Sequence, residues 1–327
     1  MKIYRDDDAD LDLVKAKTIA VIGYGAQGEA QAKCMKDSGL NVILGLRPGK
    51  SWDKAKEDGF DVFEVSQATE KADIIHVLIP DETQAEVYAA QIKEKLVAGK
   101  TLSFSHGFNI CFEFIKPDSD IDVIMVAPKS PGTEERKRYL EGFGVPGLVA
   151  VQQDASGKAK DTALAMAKAM GFTRAGVLEC TFGQETYEDL FGEQAVLCGG
   201  LSELIKAGFE TLVERGYPPE MAYFECLHEM KLIVDLVYEG GMDYMWKVVS
   251  NTAEYGGRTR GPRIIDAGVK ERMKKVLDEV ESGEFAKEWI EEYKNGQPNL
   301  NKLRAEEKEH EIEKVGKEIR SLFKKKE

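Results

Sequence analysis

Short apolar runs recur along the first half of the chain: "TIAVIG" from Thr18, "NVILGL" from Asn41, "DVFEV" from Asp61, "DIIHVLI" from Asp73, "TLSFSHG" from Thr101 and "DVIMVAP" from Asp122. Apolar and β-branched residues fill successive positions in them rather than alternate ones, as in strands that bury both faces within a parallel sheet. Between the runs lie stretches such as "TQAEVYAAQIKEKL", whose apolar residues fall three and four apart and predict amphipathic helices. The alternation predicts an α/β domain built on a doubly wound parallel sheet. "GLVAVQQD", the Ala-rich "GKAKDTALAMAKAMG" and "AGVLEC" extend that sheet. After Thr181 the strand pattern stops. The remainder reads as helix, with breaks at Gly199 and Gly200, "RGYPPE", "YEGG" and "GQPN". The expected domains are 1–181, carrying the sheet, and 182–327, all-α. The tail from Lys302 is densely charged and reads as a solvated or partner-covering helix, and no internal repeat is visible.

Composition narrows the partners. A chain of 327 residues, 43% hydrophobic, is long enough for two domains with a real core. Its 45 Lys and Arg against 58 Asp and Glu give a formal charge of −13, which argues against nucleic acid and anionic lipid as partners. No apolar run reaches the roughly 20 residues of a membrane span, and no basic start precedes an apolar segment. Cys34, Cys111, Cys180, Cys198 and Cys226 are scattered among apolar neighbours without a C-x-x-C pair, as expected of reduced structural thiols in a cytoplasmic protein.

Directly after the first run comes "GYGAQG", with Gly23, Gly25 and Gly28 in the G-x-G-x-x-G spacing. Gly23 permits a tight turn, Gly25 lets backbone approach a pyrophosphate, and Gly28 lets the following helix pack closely on the strand. Between a strand and a helix, this spacing predicts a Rossmann-like dinucleotide site. The second strand ends in "LGLRPGKSW", with no acid to receive a ribose 2′-hydroxyl. Arg47 stands there instead, with Lys50 and Ser51 nearby, which favours a 2′-phosphate and hence NADPH; the alternative is an Arg47 that stacks on adenine or faces solvent.

Two acid pairs follow. Asp189 and Glu193 in "YEDLFGEQAVLCGG", and Glu225 and Glu229 in "MAYFECLHEMKLIVDLVYEGG", are each spaced i, i+4. The second helix is apolar on nearly every side and should be buried, and two buried carboxylates cost several kcal/mol unless paired or metal-bound. Four oxygen donors without a His-Cys set suit a hard cation such as Mg²⁺. Ordinary acidic helix faces are the alternative. His228 projects away from Glu229 as a packing histidine, and Glu185, Glu188 and Glu203 read equally well as solvated acids.

Together these residues resemble the ketol-acid reductoisomerases, or acetohydroxyacid isomeroreductases. "GYGAQG", "GLRPGKSW", "IPDETQ", "SFSHGFNI", "VAPKSPG", "DLFGEQAVLCGG", "HEMKLIVDLVYEGG", "SNTAEYG" and "EKEHEIEKVGKEIR" fall in the family's order and spacing over nearly the whole chain, in its short class. The resemblance implies a Rossmann-like domain at 1–181 and a helical domain of the intertwined type at 182–327 that binds metal and substrate and dimerises. It implies a Mg²⁺-dependent alkyl shift of 2-acetolactate or 2-aceto-2-hydroxybutyrate, then NAD(P)H reduction to a 2,3-dihydroxy acid in branched-chain amino acid synthesis. Asp189, Glu193, Glu225 and Glu229 would hold two Mg²⁺, and His106, Lys129 and Glu193 would serve catalysis, Lys129 organising the metal-bridging acid. Ser250 would meet the substrate carboxylate. The cofactor would touch Gly23, Tyr24, Gly25, Ala26, Gln27, Gly28, Arg47, Ser51, Asp81, Glu82, Thr83, Gln84 and Gly132. The loop after Arg47 departs from the short class: it is one residue shorter, with Pro48 and a single serine, so NADH use is also open. A homodimer would share its active sites between chains.

A metal-independent β-hydroxyacid dehydrogenase with a catalytic lysine would share the architecture but leaves the four acids unexplained. A non-enzymatic dinucleotide sensor would need neither those acids nor His106.

Overall fold

Alternate residues of the central strands enter two different cores. Ile19 and Val21 pack on one side of the sheet, Ala20 and Ile22 on the other, and the same alternation separates Ile124 and Val126 from Val123 and Met125. Burial on both faces is why these runs read as continuously apolar. The computed structural model describes residues 2–323, so Met1 and residues 324–327, the extreme ends of the two expected domains, lie outside it. The chain divides into two compact units, Met1–Glu188 and Asp189–Glu327.

The first unit holds a nine-stranded sheet: β1 (Ile3–Tyr4), β2 (Thr18–Ile22), β3 (Asn41–Gly45), β4 (Asp61–Phe63), β5 (Ile74–Val77), β6 (Thr101–Phe104), β7 (Asp122–Pro128), β8 (Gly147–Gln153) and β9 (Val177–Glu179), in the order β1-β9-β8-β7-β6-β5-β2-β3-β4. The strands β2 to β7 run parallel, as expected. Their extension differs in direction, because β8 is antiparallel to β7. Pro128 faces Gly147 across that pair, so the connection between them starts and finishes at one end of the sheet and β8 must run back. The edge strand β1 is only two residues long and carries no periodic signal in the sequence; it pairs antiparallel with β9.

The second unit is helical. After the helix Gly199–Glu214, the segments Pro219–Tyr223, Met230–Val248, Asn251–Ile264, Ala267–Glu281, Glu284–Lys294, Pro298–Glu309 and Glu311–Leu322 follow. Gly199 and Gly200 do not break the chain's helical path; they open a helix directly after a π-helical turn. The last helix is not merely solvated, since Ile312 and Ile319 join Phe209, Ala222 and Tyr223 in a small core. The expectation that the helix carrying Glu225 and Glu229 is buried fails for the single chain. Leu232 is 58% exposed, Val234 51%, Tyr238 89% and Met242 71%, because the second unit has too few helices around Met230–Val248 to cover its apolar sides. The five cysteines are free thiols, but Cys198 is exposed rather than packed among apolar neighbours.

One buried acid stands out in the first unit. Glu135, on the helix Gly132–Leu140 packed against the helix Ala26–Asp37, is 1% exposed, and among the described residues no donor meets either carboxylate oxygen with normal hydrogen-bond geometry. Burial pushes its carboxyl up to about 8 from the ordinary carboxylate range, against the opposing pull of the Gln31 amide. Below the unfolded carboxylate range both states hold the proton and nothing is lost. As pH rises from there toward 8, only the unfolded chain ionises freely, so stability falls at up to roughly 1.4 kcal/mol per unit of pH. Glu135→Gln should therefore match the parent's melting temperature near pH 4.5 and gain on it progressively up to about pH 8. Parallel thermal melts across that range check this, and a gap independent of pH would exclude an ionising Glu135 as its source.

Candidate active site

In the sheet β2 lies between β5 and β3, so the chain departs from β2 in opposite directions and a crevice opens at the carboxyl ends of β2 and β5. The glycine loop occupies that crevice. Gly23 has φ 108°, and a Cβ there would sit 2.6 Å from the carbonyl oxygen of Leu78, just past β5. A Cβ on Gly28 would meet the Gly23 carbonyl oxygen at 2.4 Å, and one on Gly132 the Ala26 carbonyl oxygen at 2.3 Å. Gly132 is the first residue of its helix, so a second helix N-terminus abuts the loop. Among the described residues, nothing beyond its own stretch of chain lies within 4 Å of the Cβ position of Gly25, which leaves open the approach a pyrophosphate needs at a helix start. These residues fit a dinucleotide.

Polar contacts fix the loop from behind. The Tyr24 hydroxyl donates to Asp58 at 2.8 Å, and Asp58 pairs with Lys33 at 3.0 Å. Gln27 Nε2 donates to the Ser130 carbonyl at 3.0 Å, tying the loop to the turn before Gly132. Deeper in, Gln31 and His76 are fully buried. Gln31 Oε1, which can only accept, lies 2.6 Å from His76 Nε2, so that nitrogen carries the proton and Nδ1 accepts from Ser103 at 2.9 Å. Burial holds the imidazole down at about 4, neutral at ordinary pH. Sequence reading missed this relay; its signal is the lone histidine inside the apolar run "DIIHVLI".

At the crevice rim, Arg47, Lys50 and Ser51 are exposed where β3 gives way to the helix Lys50–Glu57. Asp81 to Gln84 open the helix Asp81–Val87 after β5. Gln84 Nε2 donates to the Ile79 carbonyl at 2.9 Å and to Asp81 at 3.0 Å, and Thr83 donates to the Pro80 carbonyl at 2.8 Å. Asn109, not singled out by the sequence, bridges to the Asp81 carbonyl at 2.9 Å and to Gln84 at 3.1 Å. Glu82 is half-buried beside them.

Glu185 is the residue the sequence underrated. It is 2% exposed rather than solvated, on the helix Phe182–Gly192. His106, two residues beyond β6, places Nδ1 at 3.1 Å from Glu185 Oε2; the Gly107 N–H donates to the same oxygen at 3.3 Å, and Lys129, next after β7, reaches Oε1 at 3.4 Å. Gly107 must be glycine, because a Cβ would lie 2.2 Å from Thr186 Oγ1 on that helix. The structure thus joins His106 and Lys129 through an acid that spacing alone did not mark. One turn on, Asp189 brings a carboxylate oxygen within 4.8 Å of one from Glu185. Two hard oxygen donors so close fit a small divalent cation such as Mg²⁺.

The other acids lie within the second unit. Glu193 opens the π-helical turn Glu193–Leu197, and Glu225 falls inside the π-helical turn Phe224–His228, with Glu229 next after it; all three are exposed. A Cβ on Gly199 or Gly200 would come within 2.1 Å of the Gln194 or Ala195 carbonyl oxygen, so these glycines permit the first turn. Such turns recur at functional sites. Among the described residues, no group of three or more His, Cys, Asp or Glu side chains suited to one metal ion includes Glu193, Glu225 or Glu229. Ser250 caps the helix Asn251–Ile264, its Oγ accepting from the Ala253 N–H at 3.2 Å.

Comparison with known proteins matches residues 13–176 to the acetohydroxy acid isomeroreductase NADPH-binding domain and 182–325 to the ketol-acid reductoisomerase C-terminal domain. The chain is 63% identical to a ketol-acid reductoisomerase (NAD(+)) of uncultured archaeon GZfos26G2, and 64% identical to a ketol-acid reductoisomerase (NADP(+)) of Akkermansia muciniphila; each alignment covers 99% of both chains. A solved structure of an NADH-preferring ketol-acid reductoisomerase from an uncultured archaeon superposes with a TM-score of 0.96 at 62% identity, covering 99% of this chain and 100% of that one. The β-hydroxyacid dehydrogenase alternative finds no such support. With both family models matched and full-length relatives above 60% identity, the chain belongs to the ketol-acid reductoisomerase family of NAD(P)H-dependent enzymes.

Proposed function

We propose that the enzyme converts 2-acetolactate or 2-aceto-2-hydroxybutyrate to the 2,3-dihydroxy acid, with the dinucleotide held by residues 1–181 and metal and substrate by 182–327. The observation that carries this reading is the buried Glu185 carboxylate, met by His106, Gly107 and Lys129 at the carboxyl ends of β6 and β7. That end of the sheet also holds the glycine loop. Two Mg²⁺ held by Asp189, Glu193, Glu225 and Glu229 would supply Lewis acidity toward the substrate's hydroxyl and carbonyl oxygens, and the nicotinamide would supply hydride.

The chain's own groups manage the proton. Moving the alkyl group turns a hydroxyl into a carbonyl and a carbonyl into a hydroxyl, so one proton must leave the first oxygen and reach the second. Glu185 takes it and returns it, with His106 and Lys129 fixing its oxygens. Ser250, at a helix N-terminus, offers a hydroxyl and a positive dipole end to the substrate carboxylate. On the nucleotide side, Arg47 and Lys50 supply charge for a 2′-phosphate, while Pro48 and the lone Ser51 leave fewer hydroxyls for it. Relatives of nearly equal identity bear NAD(+) and NADP(+) in their names, which supports a reading in which local residues such as that loop, rather than overall likeness, set the preference.

The site is completed by a second copy of the chain. The exposure of Leu232, Val234, Tyr238 and Met242 supports this. A protomer that leaves such a face in water gains most by covering it with the same face of its mate.

Three outcomes test these assignments. Glu225→Gln should reduce conversion of 2-acetolactate by at least about a hundredfold while leaving NADH binding, followed by fluorescence, near normal; full turnover would remove the metal assignment. Arg47→Asp should move the NADPH to NADH ratio of kcat/KM toward NADH by about tenfold or more, since it replaces attraction with repulsion at the 2′-phosphate. An unchanged ratio would place Arg47 away from the ribose. Co-expression of Asp189→Asn and Glu225→Gln chains should restore activity in purified heterodimers, where one of two sites keeps all four acids. Heterodimers as inactive as both parents would mean that the ligands come from one chain.

A further inference from the structure

The C-terminal helix Glu311–Leu322 grips the π-helical turn that carries Glu225 and borders Glu229. Before the turn, the Tyr223 ring is 1% exposed and lies on bare backbone at Gly316, where a Cβ would come within 2.5 Å of Tyr223 Cε2. Arg320 donates to the Tyr223 hydroxyl at 3.1 Å and is itself held by Glu313 at 3.1 Å. Ile312 and Ile319 complete the contact around Tyr223. Phe323, just past the helix, meets both ends of the turn. It stacks on His228 with ring centroids 5.5 Å apart and an interplanar angle of 25°, and stands edge-on to Phe224 at 6.2 Å. Phe224 and His228 in turn contact each other at 5.3 Å.

Glu225 directly follows Phe224, and Glu229 directly follows His228. The rings gripped by Phe323 therefore belong to the residues immediately before each acid. A π-helical turn is a rare conformation that packing must hold in place. Its i→i+5 bond, from the Glu229 N–H to the Phe224 carbonyl at 3.0 Å, spans the same residues that Phe323 braces. We propose that the C-terminal helix is a splint that fixes the spacing of Glu225 and Glu229, so that Phe323, Arg320 and Gly316 are positioning residues for divalent-cation binding. This rests on the reading of those two acids as metal ligands. It assigns to the charged tail a task that its sequence pattern did not disclose.

The test is Mn²⁺ titration of the full-length protein, free ion being read by electron paramagnetic resonance, with the NADH dissociation constant measured alongside. Phe323 is 61% exposed, so its loss leaves the core of the unit intact. Phe323→Ala should weaken Mn²⁺ binding about tenfold, the lower end of what residues behind metal ligands contribute, with NADH binding unchanged; Phe323→Tyr should restore it. Arg320→Gln, acting at the other flank, should weaken Mn²⁺ in the same way and gives an independent reading if the first variant is poorly soluble. Parent-like Mn²⁺ binding in both variants, alongside a lost site in Glu225→Gln, would overturn the splint while leaving the metal assignment standing. Undiminished Mn²⁺ binding in Glu225→Gln would overturn both. Equal weakening of Mn²⁺ and NADH would show general loss of structure and refute a positioning role.

Discussion

A carboxylate taken out of water must be met by donors, and the Glu185 carboxylate is the group around which the first unit's site is arranged. Its partners come from three places in the chain: His106 and the Gly107 N–H beyond β6, and Lys129 beyond β7. Removing one partner would leave a buried carboxylate with an unmet oxygen lone pair, a loss softened by the donors that remain. That penalty links the strand ends to the helix Phe182–Gly192, and it explains why Gly107 leaves no room for a side chain beside Thr186.

Close backbone approach is the second constraint. At Gly23, Gly28 and Gly132 a single methyl group would overlap a carbonyl oxygen, whereas at Gly25 it would meet nothing. The contrast separates glycines needed for packing from the one that keeps the ligand's approach clear. Behind them, the Gln27, Gln31, His76 and Ser103 contacts use side chains to span the gap between the loop's helix and the sheet. A buried network satisfied in this way rigidifies a site, since each member would be costly to leave unpaired.

The second unit follows a different logic. Its own core is small, centred on Phe209, Tyr223, Ile312 and Ile319, and the segment Met230–Val248, two helices joined at a kink at Gly241, shows apolar side chains to water on several sides. Two of the π-helical turns fall where the acids cluster, Glu193 opening one and Glu225 and Glu229 flanking the heart of the other. Such a turn shifts side chains out of the register that an α-helix would give them, so an i, i+4 count describes these acids only approximately.

The sequence alone determined the strand-helix alternation, the parallel direction of β2 to β7, the glycine loop between a strand and a helix, and the family. These are local or periodic signals: burial on both faces of a strand writes an unbroken apolar run, and a phosphate turn demands glycine at fixed offsets. Tertiary structure decided the rest. The reversal of β8 depends on where a connection returns to the sheet, and β1 is too short to carry a period. Glu185 and Glu188 look alike in sequence, yet only the first is buried, because the helix Phe182–Gly192 turns that face toward His106 and Lys129. The acid-bearing helix reads as buried from its composition, but burial is a property of neighbours, and the described residues of one chain leave Leu232 and Tyr238 exposed.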